Sequence, residues 1–177
     1  MAKKRKTGSP ILKILTGIII LAAVGYLIYA GASYAGSETE QSGVVVCDAD
    51  GVTCKISLHI HAQTYPSVCG ERLRFPLETG ALDRQHTHKE RNYIHFHDAI
   101  LYDINAQEII ETDRLKLGEF LDNMGVRFTS ECLGDKCNGD LCGDTPGKLT
   151  MTVNGVPNTE FRDYVWKDGD EITITFE

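Results

Sequence analysis

An apolar run from Ile11 to Ala30, broken only by Lys13, follows the basic cluster Lys3-Lys4-Arg5-Lys6. Twenty residues of helix rise about 30 Å, enough to span the hydrocarbon core of a bilayer. The basic flank is expected to stay in the cytoplasm, which sends everything beyond Ala30 outside. A cleaved signal peptide also has a basic start and an apolar stretch, and Ala30-Gly31-Ala32 is an acceptable cleavage site. The uncharged stretch from Ile14 to Ala30 is long for a signal sequence, so an uncleaved anchor is the favoured reading. The expected organisation is a basic cytoplasmic tail over 1–10, a transmembrane helix over 11–30, a flexible linker over 31–43 and one folded extracytoplasmic domain over 44–177. The linker, GASYAGSETEQSG, is small, polar and without periodicity.

Export decides how the cysteines are read. There are six, Cys47, Cys54, Cys69, Cys132, Cys137 and Cys142, and outside the cytoplasm an even count predicts disulfides. Val44 to Cys47 and Cys54 to Ser57 flank a segment holding Asp50-Gly51, a strong turn signal, so Cys47 should pair with Cys54 across a hairpin. Cys69 is expected to join one of the three cysteines in the Gly/Asp-rich stretch 132–142. A thiolate metal site is disfavoured, because neither C-x-x-C spacing nor a reducing compartment is present. Asp48-Ala49-Asp50-Gly51 is similar to the start of an EF-hand loop, but counting from Asp48 puts His59 where a bidentate Glu is needed. Turn chemistry is the simpler reading. Charge removes another class of function. The chain carries 18 basic and 25 acidic residues, and five of the basic and two of the acidic ones lie before residue 44. The domain therefore carries a net charge of -10, which repels phosphate backbones and excludes nucleic acid as its partner.

Periodicity predicts a mainly β or α+β domain, compact and β-rich, with one or two short helices. Ile56 to Ala62, Tyr93 to Ile100 and Leu149 to Asn154 alternate, the last ending in an Asn154-Gly155 turn. In the final strand Ile172, Ile174 and Phe176 share one face. Leu115 to Met124 has apolar residues at helical spacing and is followed by Gly125, a C-cap signal.

The histidines carry the chemical signal. All six occur as His-x-His: His59-Ile60-His61, His86-Thr87-His88 and His95-Phe96-His97. A shuffled chain of this composition would hold ~0.2 such pairs. On a strand, residues i and i+2 project from one face, so the imidazoles lie opposite Ile60, Ile94 and Phe96. If a two- or four-residue turn centres on Glu90-Arg91, His86 falls opposite His95 and four imidazoles converge. A three- or five-residue loop would instead put the two pairs on opposite faces.

With the cysteines oxidised, the donors left are imidazoles and carboxylates, which suit copper or zinc. A blue-copper centre needs a free Cys and a nearby axial Met, and no such run exists. The expected function is a membrane-anchored extracytoplasmic module that binds copper or zinc through His59, His61, His86, His88, His95 and His97. One alternative is an accessory subunit of a larger membrane complex, contacting its other subunits, with structural histidines. The other is a metal-dependent enzyme, with Glu90 and Asp98 as candidate general bases, and it ranks below binding.

The motifs also resemble a family of exported archaeal and bacterial domains, often membrane-anchored. Its pattern opens with an early H-x-H, a G-x-x-x-x-[IL]-P-type segment, H-T-H and I-H, then L-G-x-F-[FL], V-N-G and D-G-D-x-I. The matching residues are His59-Ile60-His61, Gly70 to Phe75-Pro76, His86-Thr87-His88, Ile94-His95, Leu117 to Leu121, Val153-Asn154-Gly155 and Asp168 to Ile172. Lys89, Tyr93 and His97 stand where the family often has an acid, a Gly and a Glu; the last change adds an imidazole. The resemblance carries no reaction with it. The tail is also similar to the ending of β-grasp sulfur carriers, which implies a hairpin of that kind. The chain ends Thr175-Phe176-Glu177 in place of the carriers' Gly-Gly, so sulfur transfer is not expected.

Overall fold

The computed structural model describes residues 16–17, 19–28, 43–49 and 51–177. The expected tail over 1–10 lies outside them, as do Asp50 and all of the expected linker except Gly43. The chain divides into two units, Met1–Glu40 and Gln41–Glu177. In the first, the described residues 16–17 and 19–28 are helical, and among the described residues no helix is long and apolar enough to cross a membrane.

The second unit is β-rich. In chain order it contains β1 (Val45–Cys47), β2 (Cys54–Val68), β3 (Glu71–Arg72), β4 (Tyr93–Asp103) and β5 (Glu108–Ile109). A 3₁₀ turn (Thr112–Leu115) leads into α1 (Leu117–Asn123). Four two-residue strands follow, β6 (Cys132–Leu133), β7 (Lys136–Cys137), β8 (Leu141–Cys142) and β9 (Thr145–Pro146). The chain closes with β10 (Leu149–Val153), β11 (Val156–Pro157) and β12 (Asp170–Phe176). The main sheet runs β11-β10-β12-β2-β4-β5, with β1 and β3 also paired to β2. β2 and β12 are parallel at its centre, and β4 and β10 flank them antiparallel. The Asn154-Gly155 turn joins β10 to β11.

Alternation decides which face is core. Ala62, Ile94, Phe96, Ile100, Ile172, Ile174 and Phe176 point to one side and are buried. Against them pack Leu117, Phe120 and Leu121 of α1, each fully buried. The helix ends in a complete Schellman motif, with the Val126 amide donating to Leu121 O (2.8 Å) and the Gly125 amide to Asp122 O (2.9 Å). Gly125 sits at φ 70°, a conformation glycine adopts without steric cost. All six cysteines are bonded, as Cys47–Cys54, Cys69–Cys142 and Cys132–Cys137. The first pair is the expected hairpin clasp, and Cys69 does join the Gly/Asp-rich segment.

Candidate metal centre

β2 and β4 pair so that His59 faces His97 and His61 faces His95. The third His-x-His extends the sheet beyond β4. His86 is bridged to His95, its amide donating to His95 O (3.0 Å) and the His95 amide donating back to His86 O (2.9 Å). This is the register expected from an even-numbered turn at Glu90-Arg91. Three adjacent segments thus present their imidazoles on the face away from Ile94 and Phe96, and all six predicted residues come together.

The spacing suits a shared ion. His59 Nε2 and His61 Nε2 are 3.1 Å apart, and His61 Nε2 and His97 Nε2 are 3.4 Å apart. His86 Nε2 and His88 Nε2 are also 3.1 Å apart. Metal–nitrogen bonds of about 2.0–2.1 Å separate two ligand nitrogens by about 2.9 Å at a right angle and about 3.3 Å at the tetrahedral angle. Two triads, His59-His61-His97 and His86-His88-His97, hold their donor atoms within 4.8 Å of one another. His97 belongs to both.

His95 forms the floor of the cluster. It is 6% exposed, and neither of its ring nitrogens has a hydrogen-bond partner. A buried imidazole without a partner loses about 1–3 kcal/mol of solvation, which a bound ion would restore. Its ring lies 4.6 Å from His61 and 4.4 Å from His88, centroid to centroid. Burial, reinforced by the neighbouring imidazoles His61, His88, His97 and His86, pushes the pKa of His95 down to about 3. Burial and the same kind of crowding, from His59 first, hold His97 at about 4. His61 is lowered by burial and His59, and His86 by burial. These four rings are therefore neutral at neutral pH, the form that offers a lone pair.

Neighbouring groups orient the ligands. His86 Nδ1–H donates to Arg84 O (2.7 Å), which leaves its Nε2 lone pair facing His88. The Asp168 carboxylate accepts from the His61 amide at 2.9 Å, and its Oδ1 lies 3.9 Å from His61 Nδ1. The His86–His88 segment is pinned through its opposite face. Gln85 Nε2 donates to Arg114 O (3.0 Å) and Lys116 O (2.8 Å), and Gln85 Oε1 accepts from the indole of buried Trp166 (2.7 Å). Thr87 Oγ1 donates to Pro76 O (2.8 Å) and accepts from the Thr79 amide (3.1 Å). Asn92 closes the connection. Its side chain accepts from the Phe75 amide (2.9 Å) and donates to Leu73 O (2.8 Å), and its carbonyl takes Thr64 N (2.9 Å) and Thr64 Oγ1 (2.8 Å). Sequence reasoning passed over Gln85, Thr87 and Asn92, although a Thr between two histidines carries the signal of a residue facing the other way.

The two candidate bases separate. Glu90 Oε2 lies 3.8 Å from His95 Nε2, whereas Asp98 faces the other side of the sheet and is ion-paired with Arg114. Asp98 and Arg114 also line a hollow of about 470 Å³ with Asp83, Glu119 and Asn123, and no imidazole enters it. It is not the candidate site.

No family model, curated protein or solved structure matches the chain.

Proposed function

We propose that the protein is a membrane-anchored, extracytoplasmic module that binds copper or zinc through its three His-x-His pairs. One observation carries the reading: six imidazoles on three neighbouring segments of one sheet face, with Nε2 atoms separated as ligands of one ion would be. A polar strand face needs hydrogen-bonding side chains, but it has no need for six imidazoles that desolvate and crowd one another. Imidazole nitrogen binds both metals, and copper stands above zinc in general affinity. When bound, the ion would supply positive charge and an acceptor for the lone pair of the buried His95 ring, which has no hydrogen-bond partner.

A second reading, a metal-dependent enzyme, has the exposed Glu90 carboxylate beside His95 in its favour, where a general base would stand. A labile water on the loaded site would support it, and a site saturated by imidazoles would not.

The binding reading is tested by titrating the full chain with Cu(II) and with Zn(II) at about pH 7.5, against a competing chelator. Tight binding accompanied by a higher thermal midpoint is expected. A midpoint indifferent to both metals would overturn the proposal.

A further inference from the structure

We infer that the cluster is a two-ion centre, one ion held by His59, His61 and His97 and the other by His86, His88 and His95. The inference rests on the metal-binding reading and adds the number of ions and the division of ligands. Six imidazoles are more than one tetrahedral ion can use. The close contacts fall into two groups. His59, His61 and His97 are linked by Nε2 separations of 3.1 and 3.4 Å, and His86 and His88 by a separate one of 3.1 Å.

Both triads of mutually close donors need His97. A ring nitrogen has one lone pair, so one neutral imidazole nitrogen cannot complete both sets at once. His95 resolves the conflict. Its backbone is paired with His86, and its ring centroid is 4.4 Å from that of His88 and 6.0 Å from that of His86. Neither of its nitrogens has a hydrogen-bond partner, so a turn of its ring toward the pair would complete the second set. When both ions are present, His97 serves the His59 pair and His95 completes the His86 pair. The sets then hold three imidazoles each, with a fourth position open on each ion. Two like charges held side by side repel, so the second ion should bind more weakly, by ~10-fold or more.

The test is equilibrium dialysis of the full chain against Zn(II), with bound metal counted by mass spectrometry and folding followed by circular dichroism. Wild type should reach two ions per chain in two steps. His59→Ala/His61→Ala and His86→Ala/His88→Ala should each retain one ion, and His95→Gln should lose the weaker one while keeping the tighter. The four-fold variant lacking both pairs should retain none. One ion per chain in wild type, lost in either double variant, would overturn the two-ion division while leaving the binding reading intact. No ion in wild type would overturn both. Should His95→Gln fail to fold, the two double variants still decide the stoichiometry.

Discussion

His95 and His97 are the residues on which pH should act. Their pKa values, about 3 and about 4, lie below the ordinary 6.5 that the unfolded chain would show. Between those limits the unfolded state binds protons that the native state refuses, so stability rises with pH across the window. The metal-free protein should therefore lose stability as pH falls from about 6.5 toward about 4, and metal should be released over the same range. Thermal unfolding with a chelator present, repeated from neutral to acid pH, measures the first effect; a flat midpoint would mean that the rings are not desolvated together. Gly80 is a second point of sensitivity. It has φ 107°, and a β-carbon there would stand 2.8 Å from His86 Cβ. Gly80→Ala should cost ~1–3 kcal/mol through overpacking and backbone strain. It should also weaken the His86 pair more than the His59 pair, which denaturant unfolding and metal titration of the same variant would read together.

At the scale of elements, the segment from Leu73 to Asn92 determines whether there is one cluster or two. It has no long strand of its own, and its course depends on Asn92, which is buried at φ 58°. Asparagine tolerates that left-handed conformation better than most residues and satisfies the backbone of Leu73 and Phe75 at the same time. Asn92→Ala keeps neither property and should cost ~2–4 kcal/mol, since buried partners are left unpaired and the backbone is strained. Asn92→Gly relieves the strain alone and should recover part of the loss. Equal unfolding midpoints for the two variants would assign the whole effect to the hydrogen bonds.

For the whole molecule, the disulfides differ in reach. Cys69–Cys142 spans 73 residues and ties the end of β2 to β8, whereas Cys47–Cys54 spans seven. Loop-closure entropy makes the long bridge worth about 4 kcal/mol and the short one about 2 kcal/mol. Replacing Cys69 and Cys142 by alanine should thus lower the denaturant midpoint roughly twice as far as replacing Cys47 and Cys54, and the reverse order would contradict the entropic account. The proposed topology makes its own forecast: protease added outside intact cells should degrade the His-rich domain, and protection would reject an extracytoplasmic location.

Much of this architecture was legible in local pattern. Period-two alternation marked the core faces of β2, β4, β10 and β12, because burial on one side of a pleat writes itself into every second residue. The Asp-Gly turn signal placed Cys47 against Cys54, and Gly125 marked the end of α1. The three His-x-His motifs were visible for the same reason as the strands: residues i and i+2 share a face. Register was another matter. Whether His86 met His95 or slipped by one position depended on the loop through Glu90-Arg91, and a slip by one reverses the face of every side chain beyond it. That choice was made by groups far apart in sequence: Gln85 bonded to Trp166, Thr87 to Pro76 and Asn92 to Phe75. The parallel pairing of β2 with β12 and the Cys69–Cys142 link were likewise beyond local reading, since both join segments brought together only when the core closes. Local sequence therefore determined which side chains can bind metal, while tertiary packing decided that they meet.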